Sequence, residues 1–188
     1  MSLLALAVDI AAAARQAGGR ALMVGGCVRD RQLGLPAKDL DMEVYGLSAE
    51  VVQNLGQKFG HTNLVGQQFA VLHVSTERGV AELSLPRSES KTGPGHRGFE
   101  VTADPCMEFK DACRRRDFTV NAMLEDPLTG ELMDPFDGLA DLRRGLLRHV
   151  SSAFAEDPLR VLRAARFAAR FDWRIHPQTS ALCRTLDL

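Results

Sequence analysis

Val24-Gly25-Gly26-Cys27-Val28-Arg29-Asp30 and, shortly after, Asp39-Leu40-Asp41-Met42-Glu43-Val44-Tyr45 decide how this chain reads. The apolar run Ala21 to Val24 predicts a short strand that breaks at the glycine pair, and Val28 to Leu33 predicts a helix. From Asp39 to Tyr45 the acids alternate with Leu40, Met42 and Val44, which places Asp39, Asp41 and Glu43 on one face of a second strand. Glycines between a strand and a helix let the backbone N–H groups of Gly25 and Gly26 approach a phosphate, and Arg29, one turn on, adds a forked donor. Carboxylates at i and i+2 of a strand point the same way and suit two magnesium ions about 3.5–4 Å apart, held by hard oxygen ligands. Singly, a glycine pair is an ordinary turn and Asp-x-Asp a chance pattern. Their conjunction within about 20 residues is what points to phosphate chemistry.

Outward from this stretch, Leu3, Leu6, Ala7, Ile10 and Ala14 share one face of an N-terminal helix ended by Gly18 and Gly19. Ser48 caps a helix running from Ala49 to about Phe59. Phe69 to Ser75 and Val80 to Leu85 read as strands joined across Glu77, Arg78 and Gly79. Glu82 on the second of them is a candidate third acid near the metals, and equally a surface glutamate. Pro86 to Gly98, rich in glycine and basic residues, reads as a mobile loop. A polar helix ending at Arg114 to Arg116, a hairpin around Pro127 to Gly130 and an Asp134-Pro135-Phe136-Asp137-Gly138 turn follow.

Two further segments carry charge in a functional pattern. In Arg114-Arg115-Arg116-Asp117-Phe118-Thr119-Val120-Asn121-Ala122 the plain alternative is a solvated basic helix end with Asp117 as a cap. Asp157 and Pro158 open a helix to about Phe171, and Pro177 starts another. On the first of these, Arg160, Arg163, Arg166 and Arg170 span an arc of about 120°, opposite Val161, Ala165 and Ala168, which are expected against the core. An exposed arginine face is the alternative, weakened because an arginine stripe without interspersed glutamates repels itself.

Bulk properties narrow the setting. A hydrophobic content of 45% over 188 residues is ample for a real core. The net charge of −1 gives no global field for a polyanion, so nucleic-acid contacts must come from local clusters such as Arg114 to Arg116. Cys27, Cys106, Cys113 and Cys183 form no C-x-x-C pair, which argues against a zinc site or a disulfide framework and fits a reducing cytoplasm. The apolar start lacks a basic leader and contains Asp9, so it is not read as a signal peptide, and no stretch is long enough to span a membrane.

Together these segments closely resemble the class II tRNA nucleotidyltransferases (CCA-adding enzymes) and the bacterial poly(A) polymerases related to them. Gly25-Gly26-x-Val28-Arg29-Asp30 with Asp39-x-Asp41 resembles the family's metal and triphosphate motif. Arg115-Arg116-Asp117-Phe118-Thr119-x-Asn121-Ala122 resembles its ribose-selecting motif, Asp134-Pro135-x-x-Gly138-x-x-Asp141-Leu142 its hinge motif, and Glu156-Asp157-x-x-Arg160 its base-selecting motif. The resemblance implies that Asp39 and Asp41 bind Mg2+, that Gly26, Arg29, Arg163 and Arg166 contact phosphates, and that Asp117, beside Arg116, accepts a hydrogen bond from the ribose 2′ hydroxyl. It implies nucleotide transfer from CTP and ATP to a tRNA 3′ end. A carboxylate only accepts and a guanidinium only donates, so Asp157 with Arg160 fits the amino donor and ring acceptor shared by cytosine and adenine and rejects uracil and guanine. The poly(A) polymerase branch usually carries a basic pair after a glycine before the third strand. Here Val65-Gly66-Gln67-Gln68-Phe69 lacks it, which favours CCA addition, or a partial version that adds only CC or only A.

The resemblance further implies an α+β fold: a nucleotidyltransferase head of the DNA polymerase beta type over residues 1–150, with a small mixed sheet flanked by helices, then the start of a helical neck over 151–188. Strand and helix alternation alone leaves a doubly wound sheet open. Family members continue into further helices that grip tRNA, so the chain is expected to be a fragment, or part of a split enzyme, that binds nucleotide and magnesium better than tRNA. A nucleotide-binding module without chemistry and a structural RNA-binding module are the competing classes. Intact Asp39 and Asp41 favour the enzyme over the first, and near-zero net charge with a single Trp and a single Tyr disfavours the second.

Overall fold

The computed structural model describes residues 2–36, 38–65, 71–91 and 99–186. Helix α1 (Leu3–Gln16), capped by Ser2, buries Leu6, Ala7, Ile10 and Ala14, the stripe expected from the spacing. Strand β1 (Arg20–Val24) runs through Gly25 into α2 (Gly26–Gln32), and β2 (Leu40–Tyr45) follows. Ser48 caps α3 (Ala49–Gln57). Then come β3 (His61–Val65), β4 (Val71–Thr76) and β5 (Gly79–Ser84).

The segment read as a loop from Pro86 to Gly98 is in part a hairpin. Strands β6 (Arg87–Lys91) and β7 (Phe99–Ala103) pair antiparallel from Arg87 with Ala103 to Lys91 with Phe99. The alternating Ser88-Glu89-Ser90 pattern is polar throughout, so no hydrophobic period announced the first strand. Residues 92–98 of that loop, and residues 66–70 with the run used above to weigh poly(A) addition, lie outside the described residues.

Beyond it are α4 (Phe109–Arg114), a single 3-10 turn at Thr119–Asn121, β8 (Leu124–Glu125) and β9 (Leu132–Met133), the last two forming the hairpin expected around Pro127 to Gly130. The chain continues with α5 (Gly138–Arg143), β10 (Leu146–Leu147), α6 (Leu159–Phe171), β11 (Arg174–Ile175) and α7 (Pro177–Cys183). Asp134 accepts from the N–H groups of Gly138 and Leu139 at 2.7 and 2.9 Å and so caps α5.

Seven strands form one mixed sheet in the order β3-β4-β5-β2-β1-β8-β9, with β2 and β5 parallel and the other pairs antiparallel. This is the expected α+β architecture, and the single parallel pair excludes a doubly wound sheet. One sheet face carries Ala21, Met23, Leu40, Met42, Val44, Leu83 and Val74 into a core shared with α1 and α3. That core runs without a break through Phe118, Met123 and Phe154 to Ala164 and Phe167 of α6. On the other face Leu22, Val24 and Tyr45 pack with Ala112 and Cys113 of α4, and the Tyr45 ring meets Phe109 edge to face at 4.9 Å. Strand β2 therefore presents Asp41, Glu43 and Tyr45 in sequence along one face, from open cleft to packed interior.

Candidate active site

Gly25 makes the bend that opens the site. Its φ of 71° lies where side chains are strained, and a Cβ there would stand 2.9 Å from Arg116 Nη1. Its own N–H donates to Met123 O at 3.4 Å, tying the bend to the segment that carries Asp117 and Asn121. Gly26 has ordinary room, its nearest neighbour for an added Cβ being Arg29 at 3.6 Å.

A cleft of about 590 Å³ lies between this bend, the start of β2 and α6. Gly25, Gly26, Arg29, Asp39, Asp41, Arg116, Asp117, Asn121, Asp157, Arg160, Arg163 and Arg166 all line it. Every residue assigned from sequence to catalysis or nucleotide contact thus lines this one cleft. Glu82 is not among the lining residues. It lies opposite Asp41 in the parallel β2–β5 register and pairs with His73 Nε2 at 3.0 Å. Lys38, Asp30, Phe167 and Arg170 line the cleft as well and were not assigned from sequence. Asp30 and Arg170 sit inside the motifs quoted above, whereas Phe167 gave no signal beyond being apolar on a helix.

Among the described residues neither Asp39 nor Asp41 forms an ion pair, although six arginines line the same cleft. Burial raises the Asp41 carboxyl to about 6, with the charges of Glu82 and Asp39 adding to the effect and Arg116 and His73 opposing it. Such uncompensated negative charge is what a hard divalent cation neutralises. No cluster of three or more acidic, His or Cys ligands occurs among the described residues. Two carboxylates with the rest of the shell left to water and phosphate is the donor set magnesium accepts, so the residues present fit the ion.

Glu43 faces the same way and does something else. It is fully buried, and its Oε1 accepts from Arg115 Nη2 at 2.8 Å and Arg116 Nη2 at 2.9 Å, while Tyr45 donates to Oε2 at 2.9 Å. Burial alone would raise its carboxyl, but the two guanidiniums hold it below the ordinary value. Glu43 is the anchor that fixes Arg116 on the cleft wall, rather than a third open acid.

The opposite wall is cationic. Arg29, only 4% exposed, donates to Asp30 Oδ1 at 2.6–2.8 Å and to Asn121 Oδ1 at 2.7 Å, with its guanidinium carbon 5.1 and 5.0 Å from the ring centres of Phe167 and Phe171. Arg163 grips Asp117 Oδ2 through Nε at 2.7 Å and Nη2 at 2.6 Å. Arg160 donates to Ala153 O at 2.9 Å and to Arg115 O at 2.6 Å, which fixes its fork, and Asp157 Oδ1 accepts from Leu159 N at 3.0 Å at the start of α6. The fully buried residues of α6 are Ala164 and Phe167; of the three expected against the core, Ala168 packs there partly buried, Val161 is half-buried and Ala165 is exposed. Phe167 points between the arginines, and the guanidiniums of Arg29, Arg163 and Arg166 lie 5.1 to 5.9 Å from its ring centre. The arginine stripe therefore borders the core contact, because an aromatic face is a surface on which guanidiniums rest.

In sequence, the Poly A polymerase head domain family matches residues 21–148. The chain belongs to this family. The head-domain relatives include the multifunctional CCA proteins of Nitrosococcus oceani, 48% identical over 165 residues, and of Nitrosomonas europaea, 46% identical over 164. Each match covers 87% of this chain and 38% of the relative, so the chain spans under two fifths of the length of these relatives. Among solved structures, the Bacillus stearothermophilus CCA-adding enzyme in complex with CTP superposes with a TM-score of 0.78 at 31% identity, over 94% of this chain and 41% of that one. The Thermotoga maritima CCA-adding enzyme complexed with tRNA gives 0.78 at 28%, over 97% and 41%. No helix among the described residues is long and apolar enough to cross a membrane.

Proposed function

We propose that this chain is the catalytic head, residues 1–150, and the start of the neck, residues 151–188, of a template-independent RNA nucleotidyltransferase that adds C and A from CTP and ATP to a tRNA 3′ end. The observation that carries this reading is the division of one cleft into an unpaired acidic end, Asp39 and Asp41, and an arginine-lined end on α6. Asp39 and Asp41 would hold Mg2+, which would supply Lewis-acid stabilisation of the charge that develops during phosphoryl transfer. Arg163 and Arg166, half exposed on the opposite wall, receive the triphosphate, with Gly26 giving close backbone approach. Asp117 and Arg116 face the ribose. Asp157 accepts from the amino group and Arg160 donates to the ring nitrogen that cytosine and adenine share, and the two backbone carbonyls gripping Arg160 keep its fork in register for that task. Free Cys27, Cys106, Cys113 and Cys183 support a cytoplasmic setting.

The test is incubation with Mg2+, labelled CTP or ATP, and tRNA lacking its 3′ end, beside the Asp39→Ala, Asp41→Ala double variant. Incorporation by the parent chain and its loss in the variant is the expected result. Nucleotide binding without incorporation in both would instead identify a binding module.

A further inference from the structure

The carboxylate assigned to the ribose has no acceptor position left. Asp117 is 7% exposed. Its Oδ1 accepts from Phe118 N at 2.8 Å and Asn121 Nδ2 at 2.9 Å, and its Oδ2 from Arg163 Nε at 2.7 Å and Nη2 at 2.6 Å. An ionised carboxylate offers about four lone-pair sites, and four donors occupy them. In this state Asp117 cannot also receive a ribose hydroxyl.

The four donors differ in how easily they leave. Phe118 N is main chain. Asn121 is buried and pinned from its other side by Arg29, itself enclosed by Asp30, Phe167 and Phe171. Arg163 is the exchangeable one: its side chain is 46% exposed, it lies on the cleft wall, and its remaining support is the face of Phe167 at 5.5 Å. A guanidinium fork suits phosphate as well as carboxylate, and a triphosphate carries more charge than one carboxylate, so a polyphosphate in the cleft competes directly for it.

We infer that Arg163 gates ribose recognition: it caps Asp117 while the cleft is empty and frees it when a polyphosphate draws the guanidinium away. This rests on the nucleotide-site reading above and deepens it, because 2′-hydroxyl selection becomes conditional on the triphosphate. A nucleoside or a short product lacking the polyphosphate meets a closed reader, whereas a triphosphate opens the reader by binding.

The experiment measures binding in the presence of Mg2+ by ligand-observed NMR and calorimetry for two pairs, CTP with 2′-deoxy-CTP and cytidine with 2′-deoxycytidine. The parent chain is expected to prefer CTP over its deoxy form by about tenfold, the scale of one hydrogen bond to a charged group, and to bind the two nucleosides within twofold. Arg163→Ala is expected to bind CTP more weakly and yet to prefer cytidine over 2′-deoxycytidine by about tenfold, because Asp117 stands open. Arg163→Lys, which keeps the charge without the fork, is expected to fall between and guards against a folding defect in the alanine variant. Equal nucleoside and triphosphate discrimination in the parent chain, or no nucleoside discrimination in Arg163→Ala, overturns the gate. Failure of the underlying reading looks different: Asp117→Asn would then discriminate CTP from 2′-deoxy-CTP as the parent does.

Discussion

Asp41 and Glu43 are two residues apart on one strand face and show opposite electrostatics. Asp41 is pushed up from an ordinary 3.8 to about 6 by burial and by the neighbouring charges of Glu82 and Asp39. A carboxyl whose folded value is raised stabilises the fold at pH values below its unfolded value, and that contribution is lost as pH rises through about 6. The loss is on the order of 2 kcal/mol. Thermal melts are therefore expected to give a lower Tm at pH 7.5 than at pH 5 from this group, with Mg2+ restoring the difference. Asp41→Asn should raise Tm at pH 7.5, abolish incorporation and remove the Mg2+ effect. Glu43 carries the reverse sign. Glu43→Gln leaves Arg115 and Arg116 converging on a neutral amide, and a cost of about 3 kcal/mol is expected in urea unfolding, the scale for removing one partner of a buried charge cluster. The alternation of β2 was legible at this scale, since period two fixes which residues share a face. What covers that face was not, because Arg115 and Arg116 reach Glu43 across more than 70 positions of chain.

Among the elements, α6 shows where pattern reading stops. Its start at Pro158 and its end near Phe171 followed from proline placement and periodicity, and the structure gives Leu159–Phe171. Its buried side followed only at Ala168, because counting aliphatic residues opposite the arginines ignored that Phe167 can pack against the core and carry guanidiniums over its ring. Phe167→Ala is expected to cost about 3–5 kcal/mol in stability and to weaken CTP binding through the lost support of Arg29, Arg163 and Arg166. Leu162→Ala, at a position 54% exposed on the same helix, should change stability by under about 0.5 kcal/mol. Equal effects in parallel denaturant titrations of the two variants would contradict the assigned buried face. The hairpin of β6 and β7 is the converse case: its polar residues concealed a strand that its antiparallel pairing reveals.

At the scale of the whole molecule, the ordered motifs and their family resemblance foretold the mixed sheet flanked by helices better than propensity did. Local patterns do not encode that β2 lies between β1 and β5, with only the latter pair parallel. The unbroken core from Leu6 to Phe167 predicts cooperative behaviour. Trp173, the one tryptophan, stacks on Phe171 at 4.6 Å beyond α6 and reports that end of the molecule, while far-UV circular dichroism reports the sheet. The two signals are expected to share one midpoint in guanidinium, and separated midpoints would mean that the sheet and the α6 end melt independently. The face of β2 that passes from Asp41 through Glu43 to Tyr45 adds a further constraint. A slip of one position in its pairing would offer Met42 to the substrate and drive Glu43 toward the aliphatic layer beneath the sheet. A misaligned strand would thus bury a carboxylate away from the two guanidiniums that satisfy it, so the correct register is selected by the cost of an unpaired charge.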